Sequence, residues 1–177
     1  FRQLVRRLAL VAEWHAARLW AQRDRRLTRD GRYFTRLRLA DGWRGMAILR
    51  SKHAAADSPA SQLTFTPDWW RARLAHVLAN RHAADGADCK DSHSARVWRT
   101  TLAHPETSLP IIVKQPRARS GWRRVVQWLP PSRSRRGWAR GHALLHRDVR
   151  TARPLAYLER RVGPFVRESV LICEALP

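Results

Sequence analysis

Apolar side chains recur at helical spacing from the first residue: Phe1, Leu4, Val5, Leu8, Val11, Ala12, Ala16 and Leu19 form one stripe, with Arg2, Arg6, Arg7, Arg18, Arg25 and Arg26 around it. That period predicts a basic amphipathic helix over 1–28. Such a helix has two uses: packing on its own domain with a solvated arginine face, or lying on a membrane surface. The period then falls to two. Tyr33, Thr35, Leu37 and Leu39 alternate with Phe34, Arg36 and Arg38, and Asp41-Gly42 supplies a turn before Trp43 to Leu49, a β-hairpin pattern. Residues 50–63, rich in Ala, Ser and Pro, read as a loop. A second helix opens with Thr66 as N-cap, Pro67 at its first position and Asp68 at its positive end, and turns Trp69, Trp70, Leu74, Val77 and Leu78 to one face.

Beyond a turn near Asp85-Gly86, residues 88–103 and 109–114 read as strands joined by the loop 103–108. Residues 117–131 form a basic linker with apolar patches, broken at Pro130-Pro131; its Trp122 and Trp128 suit either a membrane interface or a loop packed on the domain. Ser132 caps a third helix reaching about Arg147, with Trp138, Gly141, Leu144 and Leu145 at helical spacing. Two strands follow, 155–160 and 169–174, with a turn near Gly163-Pro164. The fold class is α+β: residues 1–84 form a helix–hairpin–helix extension, and 85–177 form a second unit of strands around one helix.

Charge sharpens this picture. The chain carries 35 basic and 14 acidic residues, a net charge of +21, and its 44% hydrophobic content argues against disorder. So basic a surface implies anionic partners, among nucleic acid, a membrane surface or a polyanionic substrate. Cys89 and Cys173 lie far apart, outside any zinc or disulfide spacing, and fit a reducing compartment. His142 and His146 share a helix face at i, i+4 without an evident third ligand, so packing is preferred to zinc binding; the remaining histidines form no hydrolytic triad. No run of 18 apolar residues occurs, so neither a spanning helix nor a signal peptide is readable.

The three lysines, Lys52, Lys90 and Lys114, stand out in a chain that otherwise uses arginine for positive charge. Lys114 ends the β-branched run Ile111-Ile112-Val113. A lysine there is either a surface charge at a strand end or a compact phosphate ligand, a role for which an ammonium differs from a planar guanidinium.

From Lys90 onward four segments occur in a telling order: Lys90-Asp91-Ser92 with Arg96-Val97-Trp98; Ile112-Val113-Lys114; Ser132 to Trp138 and on to His142-Ala143-Leu144; and Thr151 to Leu155 ending in Leu171-Ile172-Cys173-Glu174-Ala175-Leu176. Together, over about half the chain, they resemble the lipopolysaccharide kinase (Kdo/WaaP) family of protein-kinase-like enzymes. The resemblance implies that 85–177 is a kinase-like N-terminal lobe, an antiparallel sheet plus one helix. Lys114 would contact ATP phosphates and pair with a helix glutamate. The strands around Lys90, with Ser92 and Ser94, would cover the nucleotide, and Glu174 to Leu176 would form the hinge that hydrogen-bonds adenine.

The same resemblance implies a phosphoryl transfer from ATP to a sugar hydroxyl of an anionic glycolipid such as the lipopolysaccharide core. The protein is expected in the cytoplasm, peripheral at the cytoplasmic face of the inner membrane; nucleic acid is a disfavoured partner, kept for the alternative of a non-catalytic pseudokinase-like or nucleic-acid-binding module. Three departures stand against the family pattern. Gly137 occupies the position of the expected glutamate, and no carboxylate occurs between Ser132 and Arg147; Glu159 or Glu168 is a candidate substitute. The phosphate cover Asp91-Ser92-His93-Ser94-Ala95 lacks glycine. The catalytic aspartate and the Mg2+ ligands belong to a C-terminal lobe that would begin where this chain ends, so it holds no catalytic or metal residue of its own and reads as a truncated, inactive piece.

Overall fold

The computed structural model describes residues 2–50, 60, 62–80, 88–117, 131–163 and 165–175, the side chains of 2–10, 17 and 88–90 excepted. Helix α1 (Arg2–Arg26) leads into the hairpin β1 (Phe34–Arg38) and β2 (Trp43–Ile48), then α2 (Pro67–Ala79). Strands β3 (Asp88–Asp91), β4 (Ala95–Ala103) and β5 (Ser108–Pro116) follow, then α3 (Arg133–Leu145), β6 (Pro154–Val162) and β7 (Phe165–Glu174). The architecture is α+β. Its strands form one seven-stranded sheet in the order β1-β2-β6-β7-β5-β4-β3, with every neighbouring pair antiparallel.

Local chemistry sets these boundaries. Asp41 (φ 57°) and Gly42 (φ 75°) are both left-handed, the conformation a tight hairpin turn between right-twisted strands requires. Thr66 accepts a side-chain hydrogen bond from the Trp69 amide at 3.1 Å, and Ser132 accepts one from the Arg135 amide at 3.0 Å. Each cap is worth about 1 kcal/mol. Asp148, at φ 56°, takes the chain out of α3 just past its end.

The strand pair expected over 88–103 forms, with its turn at residues 92–94. The Ser92 hydroxyl closes the turn: it donates to the Ala95 carbonyl at 2.9 Å and accepts from the Ala95 amide at 3.3 Å, satisfying backbone groups a continuous strand would have used. The last hairpin is longer than its hydrophobic run, because Gly163 (φ 58°) makes a tight turn and the pairing continues to Val162↔Phe165. The Ala-rich loop and the Trp122–Trp128 segment lie outside the described residues.

Helix α3 covers one face of the sheet and is tied to the N-terminal segment by the Trp138 indole, which donates to the Leu27 carbonyl at 3.0 Å. The opposite face lies under residue 60, residues 62–66 and α2: the Ala60 amide donates to buried Glu174, and the Trp70 indole to the Ile48 carbonyl at 2.6 Å. Between them sits a core including Leu109, Ile111, Val113, Leu158, Val170 and Ile172. Because β2 pairs with β6, the sequence segments 1–84 and 85–177 share one sheet and one core. The described part of the α1 stripe behaves differently: Val11 and Leu19 stay more than half exposed, whereas Leu27, just past the helix, is fully buried. Among the described residues, no helix is long and apolar enough to cross a membrane.

Candidate functional site

The register of the sheet arranges the residues of interest in one rung. Lys90, Val97, Lys114, Leu171, Tyr157, Met46 and Arg36 are successive direct partners from β3 to β1. Directly paired residues present their side chains to the same face, so Lys114 shares a face with Leu171 and Tyr157. That face is the one under α3. A Cβ placed on Gly137 would lie 2.8 Å from the Leu171 Cδ2, so helix position 137 stands over the immediate neighbour of Lys114.

Lys114 is exposed while the strand around it is not: Ile111 and Val113, turned to the opposite face, are fully buried. Its ammonium acts on a second group two positions along β7. The Cys173 thiol is pushed up to about 12 by burial, and the Lys114 charge pulls the other way. This locates the ammonium within electrostatic reach of Cys173, one rung from Leu171. Along the sequence neither Leu171 nor Cys173 has a place beside Lys114; the period-two alternation of β7 next to the lysine strand is the signal that sets both on that face.

No described carboxylate forms an ion pair with Lys114. Both proposed substitutes for the helix glutamate are engaged elsewhere. Glu159 is buried, accepts from the Ser132 amide at 3.2 Å and pairs with Arg161 at 2.9 Å. Glu168 pairs with Arg160 at 2.5 Å.

Ser92 and Ser94 sit in the β3–β4 turn, with their hydroxyls 3.3 Å apart. The turn is held from outside by Arg117, whose guanidinium lies 2.7 Å from the Asp91 carboxylate and whose amide donates to the Ser94 carbonyl at 3.0 Å. Lys90 holds the rung position opposite Val97. At the far end of β7 the Glu174 amide donates to the Arg153 carbonyl at 2.9 Å and the Ala175 amide to the Pro110 carbonyl at 3.0 Å. The Glu174 side chain is buried on the face away from Lys114, where it receives the Ala60 amide. Leu176 lies outside the described residues.

The sheet thus brings Lys90, Lys114 and helix position 137 to one region, and sets Ser92 and Ser94 at the adjoining strand turn. It keeps the Glu174 carboxylate on the other side. The chain matches no protein-family model, no curated protein and no solved structure.

Proposed function

We propose that this chain is the nucleotide-binding N-terminal lobe of an ATP-dependent kinase resembling the lipopolysaccharide core sugar kinases. In the full-length protein the reaction would be transfer of the γ-phosphoryl group from ATP to a glycolipid sugar hydroxyl. The observation that carries this reading is Lys114 on strand β5, exposed on the sheet face beneath α3 and one residue across the rung from the contact with helix position 137. An ammonium fixed at the end of a rigid strand is a phosphate anchor. The strand–strand–strand–helix–strand–strand order from β3 to β7, closed into one antiparallel sheet, supports the kinase-like lobe.

Gly137 leaves the anchor without its helix carboxylate, so phosphate would be held by the Lys114 charge together with Lys90, Ser92 and Ser94 at the β3–β4 turn. The catalytic aspartate and Mg2+ ligands would come from a C-terminal lobe. The basic surface would hold an anionic acceptor or the membrane headgroup layer, in keeping with an enzyme working at the cytoplasmic face of the inner membrane.

Equilibrium binding of ATP to the wild-type chain and to Lys114→Ala tests the assignment. ATP should bind, and the substitution should weaken it about tenfold or more, the worth of one charge-assisted phosphate contact. Equal binding by the two proteins would remove the assignment. The net charge of +21 favours one alternative, a nucleic-acid-binding module. Affinity for single-stranded or duplex DNA that falls steeply with salt, without any ATP effect, would identify it.

A further inference from the structure

A cavity of about 240 Å³ opens between the end of α1, the β1–β2 hairpin and the C-terminal half of α3. Phe34 and Ile48 stand on the same face as the Lys114 rung, and the nearer of the two, Ile48 on β2, is three strands from β5. At the usual strand spacing that is about 14 Å from the lysine. The cavity is therefore a separate place from the candidate nucleotide site.

Its lining is chemically lopsided. Arg23, Arg26, Arg29, Arg32, Arg50 and Arg153 surround it against a single acid, Asp30. Asp30 is directed at a residue outside the lining: it accepts the Arg36 amide at 2.6 Å and lies 3.6 Å from that guanidinium. Arg153 is almost fully buried, and burial lowers its pKa, with nearby Glu174 acting in the opposite direction. Arg23 is held at the rim by a cation–π contact to Trp20, its guanidinium carbon 4.9 Å from the ring centre. Guanidinium groups crowded around one small space repel one another. A bound anion reverses the sign of that term.

The rest of the wall sets the apolar surface of Tyr33, Phe34, Ile48 and Leu145 beside the imidazoles of His142 and His146, with Phe34 fixed edge-on against Trp138 and His142. The volume falls below the roughly 300 Å³ at which sites for drug-sized ligands begin. A phosphoryl group with one ring or a short acyl segment fits both the charge and the size.

We propose that this cavity binds a compact phosphate monoester, its phosphoryl group held by the arginines and its apolar substituent against Tyr33, Phe34, Ile48 and Leu145. The site stands independently of the kinase reading. Phosphate monoesters occur both as soluble metabolites and as lipid headgroups, and the two sources are separable. Calorimetric titration of the whole chain with phenyl phosphate should show saturable binding, tighter than inorganic phosphate because the ring is also buried. Arg26→Gln/Arg50→Gln, both exposed positions, should weaken phenyl phosphate about tenfold or more. Arg38→Gln/Arg44→Gln, equally exposed but outside the lining, should leave it unchanged.

Phosphatidylcholine vesicles containing phosphatidic acid form the second arm. Vesicle binding that is lost in the Arg26/Arg50 variant assigns the site to a lipid headgroup; cavity-dependent binding of phenyl phosphate alone assigns it to a soluble monoester. No saturable binding of either probe, or equal weakening by both arginine pairs, overturns the proposal.

Discussion

Cys173 carries the most direct chemical report on Lys114. Its thiol is raised from an ordinary value of 9.0 to about 12 because the thiolate would lose its hydration, and the ammonium only partly offsets this. At pH 8 the thiolate population is then about a thousandfold below that of an unperturbed thiol, three pKa units being three decades. In a Cys89→Ser background, iodoacetamide should label Cys173 very slowly in the folded chain and readily after denaturation; Lys114→Ala should slow it further. Labelling in the folded chain at the rate of a small-molecule thiol would contradict this placement. The linkage sign follows: the folded state holds the proton more tightly, so the contribution to stability is complete below pH 9 and is lost as pH rises towards about 12. Gly45 makes a second residue-scale case. A Cβ there would stand 1.8 Å from the Tyr157 carbonyl oxygen, which is backbone and cannot turn aside. Gly45→Ala should cost about 3 kcal/mol or more in chemical denaturation; a loss under about 1 kcal/mol would mean that β2 and β6 are not paired in this register.

At the scale of the element, much was legible because it depends on local rules. Thr66-Pro67-Asp68 and Ser132 announce helix starts by capping chemistry, and Asp41-Gly42 announces its hairpin by left-handed backbone. The strand pair within 88–103 was legible with Asp91 to Ala95 as its turn, whereas the Ser92 hydroxyl bonds that close that turn were not. The rung joining Lys90, Lys114 and Leu171 is a matter of register, which residues on other strands decide. The same is true of the arginine cavity, whose lining runs from Arg23 to Arg153 and shows no motif along the chain. The two glycines of α3 make its seating testable. Ala at Gly137 meets the movable end of the Leu171 side chain at 2.8 Å, whereas Ala at Gly141 meets the Pro154 ring at 2.4 Å. Helix propensity favours both changes by up to about 1 kcal/mol. Thermal melts should show Gly137→Ala neutral or stabilised and Gly141→Ala destabilised; the reverse order would mean that α3 sits in another rotation on the sheet.

On the scale of the whole molecule, the division between an N-terminal extension and a following unit at residues 84–85 meets a continuous sheet. Strand β6 is covered on both faces, with Leu155, Ala156, Tyr157, Leu158 and Glu159 all buried, and one of its two neighbours is β2 from the extension. Two buried polar groups cross the same boundary: the Trp138 indole is satisfied by the Leu27 carbonyl, and Glu174 receives the Ala60 amide. Removing residues 1–84 would strip the hydrogen-bonded edge of β6, uncover the Val113 and Ile172 face, and leave those groups without their partners. Each buried polar group left unsatisfied costs about 1–3 kcal/mol, a large share of the roughly 5–15 kcal/mol that holds a domain folded. A fragment of residues 85–177 should therefore show no cooperative unfolding transition by circular dichroism, while the complete chain shows one. Cooperative melting of the fragment at the temperature of the whole would establish the extension as an accessory. Its absence would make the β1–β2 hairpin and the α2 cover integral to the unit that positions Lys114, so that any nucleotide site on β5 depends on residues within the first 84.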